Sequence, residues 1–170
     1  MYADILFDRQ ILKRVLESPH EITLVIDRAY QTLPPRNKEL DLVMADDESA
    51  RTGCRNLNLN TYKRILRVGK NLDGSKANYE FIGMALFREE GSKKLLQAWD
   101  RASREFKNSP FYEAETLDQA SFTDLLQYLV DEPYPIYGME IEHGWSEIHS
   151  LEDVERLDAY FKSKGLPVVR

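Results

Sequence analysis

The order of apolar and polar positions divides this chain into strands and helices that alternate from its first residues. An apolar run over 2–7, bounded by Asp8, reads as a buried strand. Asp8 has the side chain to cap a helix whose apolar residues Ile11, Leu12, Val15 and Leu16 fall at helical spacing, and Ser18-Pro19-His20 ends that helix. The β-branched run Ile22-Thr23-Leu24-Val25-Ile26, closing on Asp27, predicts the clearest strand in the chain. Strand, helix and strand in this order predict a parallel pair joined by a crossover helix.

The pattern continues in the same manner. A loop is expected over 34–38, a strand over 40–45, and a polar, mobile excursion over 46–60. Residues 62–68 alternate and predict a strand that runs into Gly69-Lys70; 80–87 read as a buried strand interrupted by Gly83. Amphipathic helices are expected over 92–106, over 122–130 with Ser121 or Thr123 as cap, and over 151–162 with its end at Gly165. Short strands fall at 136–141 and 145–148. No repeat or low-complexity tract interrupts the series, so residues 1–170 are expected to form a single α/β domain.

Composition narrows the partners more than the fold. The 170 residues suffice for one core, and 42% hydrophobic with 31% charged residues is ordinary for a globular chain. A net charge of −6 disfavours a general grip on nucleic acid, although a local basic pocket for a nucleotide is still allowed. The single cysteine, Cys54, excludes an internal disulfide and a cysteine-rich zinc site. No signal-like segment and no apolar run near ~18 residues is found, so a cytoplasmic protein without a membrane partner is expected.

Two acidic sites stand at opposite ends of the chain. Asp4 lies within an apolar strand, where a carboxylate is either directed to solvent at a sheet edge or held as a metal ligand at a strand end. Glu147 and His149 are two apart, so on a strand they share a face; they are either an exposed pair ahead of a helix cap or a ligand with its companion. Brought together, these carboxylates would suit a divalent metal. Asp27 ends the second strand as a cap, a turn residue paired with Arg28, or a functional group. Lys70 follows a strand, which would aim its ammonium above the sheet toward an anionic substrate group or leave it solvated. Gly83 in a buried strand marks a bulge or the close approach of a ligand. No Gly-x-Ser-x-Gly elbow and no glycine-rich phosphate loop occurs.

Six stretches, in order, resemble the C-terminal two-thirds of a nucleotidyltransferase domain. They are residues 2–7 (Tyr-Ala-Asp-Ile-Leu-Phe), 24–29, 67–72, 80–84, 120–126 and 144–153 (Gly-Trp-Ser-Glu-Ile-His-Ser-Leu-Glu-Asp). The nearest likeness is to the cytidylyltransferase-like domains associated with phosphoenolpyruvate mutase and to phosphocholine cytidylyltransferases. The resemblance implies a Rossmann-like mixed sheet flanked by helices, and transfer of a nucleotidyl group from a nucleoside triphosphate, with CTP favoured, to a small phosphate or phosphonate acceptor. It implies Mg2+ as cofactor, with Asp4, Glu147 and His149 at the metal, although Ala3 stands where the family commonly has glycine. Lys70 is implied to meet the acceptor's phosphate as the catalytic lysine, and Glu80, Gly83 and Asp124 to line or shape the acceptor pocket. The family's first strand and glycine-rich loop are expected to precede residue 1, so an N-terminally truncated domain is anticipated. An inactive remnant serving as a binding module is the competing expectation, with self-association or a partner chain at an exposed sheet edge. A glycosyltransferase-like domain ranks last, because no Asp-x-Asp motif is present.

Overall fold

The computed structural model describes residues 1–32, 39–46, 62–107 and 109–164. Its elements in chain order are β1 (Ile5–Phe7), α1 (Arg9–Leu16), β2 (Ile22–Asp27), β3 (Leu42–Ala45), β4 (Tyr62–Gly69), β5 (Tyr79–Phe87), α2 (Glu89–Glu105), α3 (Phe122–Asp131), β6 (Tyr137–Ile141), β7 (Trp145–Glu147) and α4 (Leu151–Ser163). Short 3₁₀ turns occupy Ala29–Thr32 and Leu117–Gln119. The loop expected over 34–38, the polar excursion from residue 47 onward with Cys54, and the helix end at Gly165 lie outside the described residues.

Five strands close into a ring in the order β2-β5-β3-β4-β6, and each therefore has two neighbours. One of these pairings is parallel, β2 with β6; the others are antiparallel. The strand–helix–strand start folds differently from expectation. β1 does not pair beside β2; it pairs antiparallel with β7, in a separate two-stranded sheet that joins the two ends of the described chain. A crossover helix requires only that the chain return, and here α1 carries it from the small sheet into the ring. The exposed sheet edge anticipated for the larger sheet is likewise absent among the described residues, since the ring closes; open edges remain on β1 and β7.

All six residues of β2 are buried, as expected of a strand covered on both faces. Its alternation is hidden in the apolar run: Ile22, Leu24 and Ile26 enter one cluster with Tyr79, Phe81 and, from the helices, Ala98, Leu126 and Leu129. Val25 enters a second cluster with Ile82, Met84, Met139, Ile141 and the α1 residues Ile11 and Val15. The small sheet packs on this second cluster through Ile5, Phe7 and Trp145. Each aliphatic side chain so buried contributes on the order of 1.5–3 kcal/mol. The capping residues follow the sequence: Asp8 accepts the Gln10 N–H at 2.8 Å at the start of α1, while Ser121 and Ser150 form capping boxes with Asp124 and Asp153. No helix of the described residues is long and apolar enough to cross a membrane.

Candidate functional site

The β1–β7 pairing places Ile5 opposite Glu147, and the carbonyl of Asp4 accepts the N–H of Ile148 at 2.8 Å. Residue 4 and residues 147–149 therefore meet, 143 positions of chain notwithstanding. The His149 ring stands between the two carboxylates. Its Nδ1 is 3.4 Å from an Asp4 oxygen, and its Nε2 is 3.4 Å from a Glu147 oxygen. Glu147 is the most enclosed of the three at 14% side-chain exposure, against 42% for Asp4 and 53% for His149. The backbone of His149 is held by the cap of α4, where an Asp153 oxygen accepts the His149 and Ser150 N–H groups and the Ser150 hydroxyl, each at 3.0 Å. These bonds and Arg156 hold the Asp153 carboxyl down at about 2.

Two carboxylates and an imidazole are a donor set that suits a divalent cation. Their placement is less complete than their chemistry, because each ring nitrogen faces a different carboxylate. Among the described residues, no group of three or more His, Cys, Asp or Glu side chains is gathered around one point in a way that holds a metal ion. Joint coordination by Asp4 and Glu147 requires the imidazole to turn.

Asp27, at the end of β2, supports this cluster from below. Its carboxyl is buried and accepts three N–H groups: Ala29 at 2.8 Å, His143 at 3.3 Å and the Trp145 indole at 2.7 Å. It thereby ties the ring to β7 two residues before Glu147. The Arg28 pair expected for Asp27 goes elsewhere: Arg28 donates to the Tyr79 hydroxyl at 3.3 Å and lies 3.6 Å from Glu140.

Gly83 belongs to the same end of the molecule. Leu24 faces Ala85 and Ile26 faces Phe81, so β5 spends extra residues opposite Val25, and Gly83 sits in that bulge at φ +78°. A Cβ on Gly83 would lie 2.2 Å from the Tyr2 ring. The Tyr2 N–H donates to the Gly83 carbonyl at 2.8 Å, its hydroxyl donates to Asp41 at 3.0 Å, and its ring meets Phe81 edge-on. Burial beside Asp41 raises the Tyr2 pKa. Gly83 thus receives the ring that anchors the strand bearing Asp4. Glu80 is buried in β5, paired in register with Asp27 on one side and Leu42 on the other.

Lys70 and Asp124 meet in a different place, a pocket of about 200 Å³ lined also by Glu39, Asn71, Glu113, Gln119 and Ser121. The Lys70 ammonium is 3.5 Å from Glu39. Asp124 accepts the Glu113 N–H at 2.9 Å and the Ser121 N–H at 2.7 Å, so it shapes the pocket wall rather than offering free oxygens. Glu113 reaches back to β4, where its two oxygens accept the backbone N–H groups of Lys70 and Asn71 at 2.9 and 2.8 Å. Neither Glu113 nor Tyr2 stands out in the sequence. Glu113 lies in a stretch without periodic pattern, and only its two backbone partners reveal it.

A cavity of about 520 Å³ opens between β1, β7 and α4, lined mainly by Leu6, Phe7, Trp145, Leu157, Tyr160 and Phe161. Its lining includes none of Asp4, Lys70, Glu80, Gly83, Asp124, Glu147 and His149. Its apolar walls are those of a loosely docked helix, since α4 buries no residue.

No protein-family model matches the chain. Over 155 residues it is 21% identical to the CTP:phosphoglutamine cytidylyltransferase of Campylobacter jejuni, an alignment covering 91% of this chain and 56% of that protein. Its structure is similar to that of the inositol-1-phosphate CTP transferase from T. maritima, with a TM-score of 0.55 and 22% identity, over 97% of this chain and 55% of that one. The chain spans about half the length of each of these two proteins. The likeness establishes the architecture: this chain has a mixed α/β fold similar to that of the T. maritima protein.

Proposed function

We propose that this chain serves nucleotidyl transfer, passing a cytidylyl group from CTP to a small acceptor that carries a phosphate or phosphonate. An acceptor oxygen attacks the α-phosphorus of CTP, the bond from that phosphorus to the β-phosphate oxygen breaks, and pyrophosphate leaves. The observation that carries the reading is the meeting of Asp4 with Glu147 and His149 across nearly the whole chain, in a fold similar to that of a CTP transferase. The similarity to a cytidylyltransferase of Campylobacter jejuni supports the choice of CTP. In this reading the ring and its flanking helices are part of a Rossmann-like nucleotidyltransferase.

Asp4 and Glu147, with His149 beside them, are the residues that would hold Mg2+, which needs one or two carboxylates and otherwise keeps water. When bound it would supply positive charge to two anionic reactants. The remaining work falls to the chain. Reaction between two anions demands little covalent chemistry of a protein and much positioning. Lys70 offers a point charge to the acceptor's phosphate at the end of β4, and Asp124 holds the two backbone segments that wall this pocket. Glu80 and Gly83 serve through β5, the latter by seating Tyr2. This reading assigns no triphosphate-holding residue among those described.

Calorimetric titration of the protein with CTP in the presence of Mg2+ tests it. Binding that requires the metal and is lost in Asp4→Ala is expected. Absence of binding, or binding that Asp4→Ala leaves unchanged, overturns the proposal in favour of a non-catalytic module with the same fold.

A further inference from the structure

The seat at the end of β4 has the form of an oxyanion site that is already filled. Two consecutive backbone N–H groups, of Lys70 and Asn71, point at one carboxylate and are each satisfied by a different oxygen of it. Backbone N–H pairs aimed at a common point make a concavity for anionic oxygens. Gly69 keeps the approach open, because a Cβ there would lie 2.6 Å from a Glu113 oxygen. Lys70, its ammonium 3.5 Å from Glu39, lines the same pocket with Asn71, Gln119, Ser121 and Asp124, whose oxygens are taken by the Glu113 and Ser121 N–H groups. In this seat the Glu113 carboxylate stands in for two oxygens of a ligand's phosphate or phosphonate.

Glu113 is suited to leaving. Its side chain belongs to an exposed residue, in a short turn closed by the isolated bridge between Phe111 and Ala114. The Glu113 N–H stays fixed on Asp124, so the carboxylate can swing while the backbone holds. Tyr112, next in the chain, has φ 52°, a strained conformation for a bulky residue, and its hydroxyl is tethered to Asp131 at 2.6 Å. The backbone is thus set for Glu113 to face β4.

We propose that Glu113 is a tethered competitor for the acceptor's anionic group: the Lys70 and Asn71 N–H pair binds a phosphate-type oxyanion, and Glu113 occupies that position until the ligand displaces it. The proposal rests on the reading that places the acceptor's phosphate beside Lys70, and adds where its oxygens go and what they must displace. An internal competitor lowers apparent affinity by the fraction of molecules in which the seat is open.

The test is an NMR titration of the backbone amides with methyl phosphate, comparing the wild-type protein with Glu113→Gln and with Glu115→Gln. The last removes the same charge from the same segment without freeing the seat. Methyl phosphate is expected to shift the Lys70 and Asn71 amides most in every protein, with apparent affinity about tenfold higher in Glu113→Gln alone. Equal gains in Glu113→Gln and Glu115→Gln would reduce the effect to general charge and overturn the proposal. So would the absence of shifts at the two amides in wild type at saturating ligand, a result that stands even if Glu113→Gln does not fold. CTP forms a separate arm: if it moves these amides and methyl phosphate does not, the seat belongs to the nucleotide and the acceptor assignment fails. Calorimetry with CTP and Mg2+ reports on the transfer reading independently, so the two proposals fail separately.

Discussion

The five-stranded ring and the small β1–β7 sheet are built to opposite specifications. In the ring each strand has two partners, and β2 buries every one of its residues. The small sheet has two strands of three residues, with open edges and partly exposed side chains, and α4 beside it buries none. Asp4, Glu147 and His149 all belong to the second region or its border. A pair of three-residue strands is not independently stable. Its geometry is borrowed from the ring through the apolar contacts of Ile5, Phe7 and Trp145 and through polar ties that include Tyr2 to Gly83 and Trp145 to Asp27. The division leaves Asp4 and His149 accessible to solvent and Glu147 more enclosed, while their backbone is fixed from beneath.

Substitutions that separate the two regions should differ in size and in reach. The largest effect is expected in the ring: Ile26→Ala removes a side chain with 0% exposure and should cost about 2–5 kcal/mol, read as a lower denaturation midpoint for the whole protein. Asp27→Ala acts at the joint. It strips the buried acceptor from the Trp145 indole and from the Ala29 N–H, at about 1–3 kcal/mol. Amide exchange should quicken over 145–149 more than over β2; uniform loosening of both would mean that the small sheet is not held at this point. Gly83→Ala combines a positive φ with the Tyr2 ring in the way, and more than about 1 kcal/mol is expected. Its signature is loss of amide protection in β1. Undisturbed β1 amides in a folded Gly83→Ala protein would remove Tyr2 from the role of anchor.

The same contrast governs what the sequence could tell. The ring strands were legible as strands: the run at 22–26 is wholly buried, and the alternation at 62–68 marked β4, although there Lys63 is the buried residue and Leu66 an exposed one. Caps at Asp8 and Ser121 were legible because their logic is local. Pairing was not. Nothing in 2–7 distinguishes a strand that pairs with its successor from one that pairs with residues 145–147, because the β1–β7 partnership is decided by Tyr2 on Gly83 and Trp145 on Asp27, contacts between residues distant in sequence. The glycine in β5 was visible as an anomaly, but whether it admits a ligand or a tyrosine depends on that same distant partner. Lys70 and Asp124 could be named individually, whereas Glu113, which joins them, is an ordinary glutamate until its two backbone donors are seen.

The smallest effect expected is also the most local, and it sharpens the comparison by touching the small-sheet region alone. Asp153 completes the capping box of α4 with Ser150 and accepts the His149 N–H; its folded pKa is held down at about 2, below the ordinary aspartate value of 3.8. A depressed folded value means that the cap contributes fully above 3.8, where both folded and unfolded forms are ionised. As pH falls from 3.8 toward about 2 the unfolded form takes the proton first, and the contribution drains away. The group lies at the surface with 18% of its side chain exposed, so solvent still reaches and screens it, and the change is confined to the first turn of the helix. Carbon chemical shifts over 150–154 should move toward coil values across this interval while those of β2 stay constant, and Asp153→Asn should show the frayed turn already at neutral pH. Because the His149 N–H loses its acceptor in the same step, its amide should exchange faster in concert with the helix start. Exchange at residue 149 that is indifferent to both acid and Asp153→Asn would mean that the imidazole is placed by Asp4 and Glu147 and not by the helix cap, and the small sheet would then be organised by its own acidic cluster.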